Sequence, residues 1–240
     1  MSRQSLLANE EPLEALYNHL NVYNISSTPL PETNMPPFID VPVRRDSYMP
    51  THIFALYPSG APGSQPASVR PLLVPVDASS YHRGFRSDVI PPATPGSTSP
   101  VPRYTASAPY SVVTLPIIPL TVPHPPSVPL LLLYGMGLET QQQFLTPCLL
   151  PGHVVEEFPN AAEMAQVFAT RVRASNEQGE PLDDDAIFMR RVRFNQGLWQ
   201  NVLALGLRNQ AVVEVIQTAW NITAEARRLR PRYKQVGARW

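Results

Sequence analysis

The sequence holds one cysteine, one lysine and few charges, and each scarcity removes a class of protein. A lone Cys148 leaves no partner for an internal disulfide and no second thiol at zinc-ligand spacing, which points to a reducing compartment. The single lysine, Lys234, follows no glycine loop, and the patterns G-x-x-x-x-G-K, G-x-G-x-x-G and G-x-S-x-G are all missing. Nucleotide and serine-elbow chemistry therefore have no support. Formal charges sum to zero, so no global field draws nucleic acid or anionic lipid. Long apolar runs are lacking too: the run from Pro129 is broken by Gly135 and Gly137 and stops at Glu139, far short of the ~20 residues that cross a bilayer. The opening MSRQSLLANEEPLEAL carries acids where a secretory leader needs an apolar run, so neither a leader nor membrane association is expected.

Proline takes the place of the missing charge. Charged residues make up only 16% of the 240, and of 29 prolines all but Pro159, Pro181 and Pro231 lie at or before Pro151. The chain changes character there. Residues 1–50 contain a short amphipathic candidate, Glu11 to Leu20, and then TPLPETNMPPF and VPVRRDSYMP, in which proline interrupts regular hydrogen bonding. This segment is expected to be an extended, partly disordered arm. Apolar runs in HIFALY, VRPLLVPVD and SVVTLPIIPLTV predict strands, separated by long loops at about 58–68 and 91–109. Pro75, Pro116 and Pro119 place those strands at edges.

Helical signals follow. Ser127 is expected to cap a short buried helix with Pro129 in its first turn and Gly137 as a left-handed stop. Asn160 with Glu163 forms a capping-box pattern, and Ala161, Met164, Ala165, Phe168, Ala169 and Val172 fall on one face. The aspartates 183–185 precede a helix from Ala186 to about Leu205, with Phe188, Val192, Trp199, Val202 and Leu203 inward and Gly206 as terminator. A last helix starts at Asn209, buries Val212, Val215, Ile216, Ala219, Trp220 and Thr223, and stops at Pro231. The expected fold is α+β: a small irregular sheet in the proline-rich front half, then a helical stack with helices against one side of the sheet. A single domain is expected over 51–230, with a basic tail at 231–240.

Candidate chemistry is sparse. The five histidines are scattered and suit structural or surface roles, Cys148 sits in an apolar setting that makes a thiol inert, and neither glutamate pair has a partner base. No catalytic, cofactor-binding or metal-ligating residue is predicted, and the chain is expected not to be an enzyme. Binding features remain. From Asn221 to Trp240 six basic residues face one acid, a net of +5. Arg227, Arg228, Arg230, Arg232, Tyr233 and Lys234 are candidate partner contacts, as an import address or a weak, salt-sensitive nucleic-acid contact. Exposed residues around Tyr134 and Met136 are candidates for a protein interface. Thr28, Ser47, Thr94, Ser99 and Thr146 have the flanks of phosphorylation sites.

Three segments, PHPPSVPLLLLYGMGLE, HVVEEFPNAAEMAQV and NQGLWQNVLALGLRNQAVVEVIQTAWNITAEARRLR, resemble the clampless family of basidiomycete fungi, over roughly Thr121 to Arg230. The resemblance implies a nuclear, non-enzymatic factor that binds partner proteins including transcriptional regulators during formation of clamp cells and the dikaryon; a cytoplasmic pool is left open. Two of these segments are also similar to fungal variants of the BTB/POZ scaffold, although Pro129 and the glycines after the leucines depart from its usual helix. The rival reading is a structural nucleic-acid-associated protein, a coat or packaging component with the basic tail on phosphates. An enzyme with a site assembled from distant residues, among them His82, His124 or His153, is the other. Oligomeric state is left open.

Overall fold

The computed structural model describes residues 5–25, 35–45, 48–60, 70–92, 96, 99–104, 110–157, 160–170 and 184–237, with the backbone alone at 156–157, 184 and 232–237. The chain divides into two compact units: Met1–Thr140 with Asn201–Asn209, and Gln141–Gln200 with Gln210–Trp240. The first is α+β and the second is helical.

The first unit is built on a sheet of order β1-β5-β2-β3, from β1 (Phe38–Val43), β2 (His52–Pro58), β3 (Leu72–Val76) and β5 (Ser111–Val122), with the short β4 (Arg103–Tyr104) also on β5. The three expected runs are β2, β3 and β5. β5 is not an edge strand, as its prolines suggested, but the central one. It lies antiparallel to β1 from Ser111 to Pro116 and parallel to β2 from Ile117 to Val122.

Backbone direction shows how a central strand tolerates two prolines. Ile117 N–H donates to Pro37 O, and Val122 O accepts from Ser59 N. Since successive residues point their backbone groups to opposite sides, odd-numbered β5 residues face β1 and even-numbered ones face β2 and β4. Pro116, even, aims its missing donor at the β2 side just before that pairing begins, and Pro119, odd, at the β1 side after that pairing has ended. The same alternation turns Pro42 and Pro75 toward the outer edges of β1 and β3. Pro116, Pro119 and Pro75 thus sit where the missing ladder bond has no strand to receive it. Pro42, whose outer side meets Tyr23, keeps only the bond its carbonyl can make, accepting from Tyr23 N at 3.0 Å.

The segment expected to be an arm supplies β1 and the helix α1 (Pro12–His19) instead. The alternation Ile39, Val41, Val43 turns one face of β1 inward, where these side chains cluster with Ile53, Leu73, Val113 and Leu115 of the sheet. Tyr17 from α1 and then Val22 and Ile25 cover that face, and Tyr17 Oη donates to Leu73 O at 3.2 Å. Burying so much apolar surface outweighs the proline breaks around it. On the opposite face Phe54 meets Tyr81 edge-on at 5.4 Å, and Tyr81 stacks on Phe85 at 4.6 Å. Tyr81 belongs to α2 (Ala78–Gly84), capped by Asp77, which accepts from Ser80 N. Helical cover thus lies on both faces, not one.

α3 (Val128–Gly135) is the leucine helix, and all its residues from Val128 to Tyr134 are buried, as a helix apolar all round requires. No helix among the described residues is long and apolar enough to cross a membrane. Ser127 does not cap α3 with its side chain. Its backbone is already helical (φ −93°, ψ −7°), so the hydroxyl turns back and donates to His124 O at 3.1 Å. Asn201 donates to both His124 O, at 2.8 Å, and Ser127 Oγ, at 3.0 Å, pinning this turn. Gly137 does take the left-handed form, φ +70°.

α2 and α3 touch backbone to backbone. A Cβ placed on Gly84 would lie 1.7 Å from Gly135 O, and no rotamer change relieves a clash with a carbonyl. Gly84→Ala is expected to lower unfolding stability by about 1–3 kcal/mol, read from the midpoint of chemical denaturation; a wild-type midpoint would refute this close approach.

Candidate functional site

The second unit contains α4 (Leu145–Leu149), α5 (Gly152–Glu157), α6 (Ala161–Thr170), most of α7 (Asp184–Leu205) and α8 (Gln210–Gly237). Asn160 caps α6 as expected, accepting from Glu163 N at 2.9 Å, and Ala165, Phe168 and Ala169 are buried. Along α7, Phe188 and Val192 turn inward and Gly206 follows with φ +67°. Two α7 residues correct the expectation. Leu203 is 64% exposed, and Asn195, which carries no sequence signature, is buried and donates to Leu149 O at 3.0 Å, tying α7 to α4. Cys148 is partly buried, and its thiol donates to Phe144 O.

Face periodicity on α8 creates a groove. Ala211, Val215, Ala219 and Ile222 form one stripe at helical spacing, and α4, α5 and α6 present Leu149, Leu150, Val155 and Met164 opposite it. Alanine at 211 and 219 is too small to fill the space, which leaves a concavity of about 350 Å³. Glu214, Thr218 and Gln142 also line it. The arrangement suits apolar side chains of an incoming segment, held by shape with few directional contacts.

Pro231 does not end α8, which continues to Gly237. A proline forfeits one i to i−4 bond and adds a local clash, a cost that a long packed helix absorbs. The basic segment is therefore helical, and its members separate. Arg230 is turned inward: its side chain is 13% exposed, its Nη2 lies 2.7 Å from Asp185, Nη1 donates to Ala169 O at 3.2 Å, and the guanidinium sits 4.4 Å from the Phe188 ring. Sequence counted it a surface contact; it is a link between α6, α7 and α8. Arg228 pairs with Glu225 at 3.1 Å and stays exposed, as does Arg227. The side chains of Arg232, Tyr233 and Lys234 lie outside the described residues.

The remaining expectations fall in the first unit. Tyr134 and Met136, expected to be exposed, are buried at 2% and 6%, and both border a depression beside Gly135 and Gly137. Among the three histidines considered for a site, His124 lines a concavity of about 600 Å³ with Glu11, Arg70 and a set of prolines, and among the described residues no hydroxyl or thiol lines it. Burial lowers the pKa of His124 and, with His82 adding to the effect, of His52. His82 lies 3.4 Å from Asp88 on the surface. Thr28, Ser47 and Thr94 fall outside the described residues.

Residues 143–236 match the family model of the Clampless protein 1 C-terminal domain, which begins at the start of the second unit and takes in the groove. Over that stretch, which is less than half of the chain, the sequence is similar to the clampless family. The first of the three resembling segments, PHPPSVPLLLLYGMGLE, precedes the matched stretch. No curated protein and no solved structure matches the chain, so the BTB/POZ likeness rests on sequence motifs alone.

Within the matched stretch Arg230→Ala is expected to cost about 1.5–3 kcal/mol, the worth of a hydrogen bond to a charged group, whereas Arg227→Ala should lie within about 0.5 kcal/mol of wild type. Urea denaturation of the two variants checks this; equal effects would remove Arg230 from the interior.

Proposed function

We propose that the chain regulates clamp-cell and dikaryon formation by binding other proteins, and that it catalyses no reaction. The observation that carries this reading is the apolar groove along α8, inside the segment that matches the family model. An amphipathic helix is the partner element that such a groove fits, inserting side chains at i, i+3 or i+4 spacing between Ala211 and Ile222. The family resemblance supports transcriptional regulators as the proteins that carry this helix, and the nucleus as the place of binding. The exposed Arg227 suits an acidic end on the partner, since rim charge steers encounter more than it adds affinity.

The experiment is complementation in a strain lacking this chain. Val215→Asp places a charge in the groove, and Ala211→Trp fills its mouth from an exposed position. Both variants should keep the wild-type circular dichroism spectrum and thermal midpoint within a few degrees, yet fail to restore clamp connections after mating. Full restoration by both would show that the groove is not the working surface. Restoration by the tryptophan variant alone would contradict a side-chain-filled groove.

A further inference from the structure

A shallow depression in the first unit, of about 500 Å³, has a chemistry unlike that of the groove. Its lining includes Ser80, Arg83 and Gly84 of α2, Gly137 after α3, and Arg208 with Asn209. Among the described residues two guanidinium groups line it and no carboxylate does. Neither Arg83 nor Arg208 takes part in an ion pair among the described residues.

Each guanidinium is aimed by a single neutral acceptor. Arg83 Nη2 donates to Ser80 Oγ at 2.9 Å, and Ser80 is itself fixed through its backbone N–H on Asp77. Arg208 Nε donates to Phe85 O at 2.8 Å, while its backbone N–H donates to Gly84 O at 2.8 Å. The bond to Phe85 gives Arg208 a role in closing the end of α2, but it uses one of five donors. Arg86 adds a third exposed cation nearby, with its stem against Gly206 and its N–H on Gly206 O. The closest acid in sequence, Asp88, faces His82. The backbone beneath is rigid, because the Gly84 to Gly135 approach leaves no room to shift.

Paired, preoriented guanidinium groups without a counter-charge match an anion that accepts several hydrogen bonds at once. We propose that this depression binds the phosphate monoester dianion of a phosphorylated serine or threonine segment. Arg83 and Arg208 supply charge and forked donors, and the open shape admits a chain rather than enclosing a metabolite.

The test titrates the full chain, by fluorescence anisotropy, with a labelled phosphoserine peptide and its unphosphorylated twin, and adds inorganic phosphate as competitor. The phosphopeptide is expected to bind one to one, its twin not, with affinity falling as sodium chloride is raised. Arg83→Gln should weaken binding about tenfold and the double variant with Arg208→Gln should weaken it further. Arg83 is exposed and carries no backbone tie, so its variant keeps the test valid if Arg208→Gln unfolds. Competition by inorganic phosphate at the peptide's own concentration would assign the site to free phosphate and overturn a phosphorylated segment as its occupant. Equal binding of the twin, or wild-type affinity in Arg83→Gln, would overturn the site altogether.

Discussion

The first unit depends on where proline's missing N–H points. A strand with neighbours on both sides has no position for proline, yet β5 carries Pro116 and Pro119 at the centre of the sheet. It does so by changing neighbours midway, so that each proline nitrogen faces a side left open. The order of the sheet, the short reach of β1 along β5 and the outward turn of Pro42 and Pro75 all follow from this constraint. It also limits where another chain could add to the sheet, because the outer edge of β3 lacks a donor at Pro75, while the outer side of β1 is already met by Val22 and Tyr23.

The second unit is organised differently. Its helices are joined by polar side chains with partners far back in sequence: Asn195 on Leu149 O, and Arg230 on Asp185, Ala169 O and Phe188. A guanidinium that is mostly enclosed is stable only when its charge and donors are met, and here a carboxylate, a carbonyl and an aromatic face meet them. Alanines along one stripe of α8 leave the groove within the stretch that matches the family model. Core and groove are thus two faces of one helix.

How much of this was legible follows physical lines. Periodicity exposed α6, α7 and α8, and Asn160, Gly137 and Gly206 marked ends because capping and left-handed turns are local properties. The strands β2, β3 and β5 were visible as apolar runs, but their order was not, since pairing joins residues far apart in sequence. β1 was hidden by prolines on either side, although its alternation Ile39, Val41, Val43 was there to be read. α2 was missed despite the Asp77 to Ser80 cap. Pro231 looked like a stop because one lost bond was weighed without the packing that carries a helix through it. Arg230 looked like surface because nothing local shows Phe188 and Asp185 beneath it. The buried Tyr134 was misplaced for a simpler reason: a helix buried from Val128 to Tyr134 has no periodicity that marks an outer face.

The change of neighbours along β5 is tested most directly by residue-resolved amide hydrogen exchange. Val113, Leu115 and Ile117 face β1, and Ile118 and Leu120 face β2, so their amides should exchange slowly. Thr114 points past the end of β4 and Thr121 past the end of β1, so both should exchange quickly although they lie within the same strand. Protection of Thr114 and Thr121 equal to that of Leu115 and Leu120 would mean that β5 has partners along its whole length on both sides, and would contradict the account.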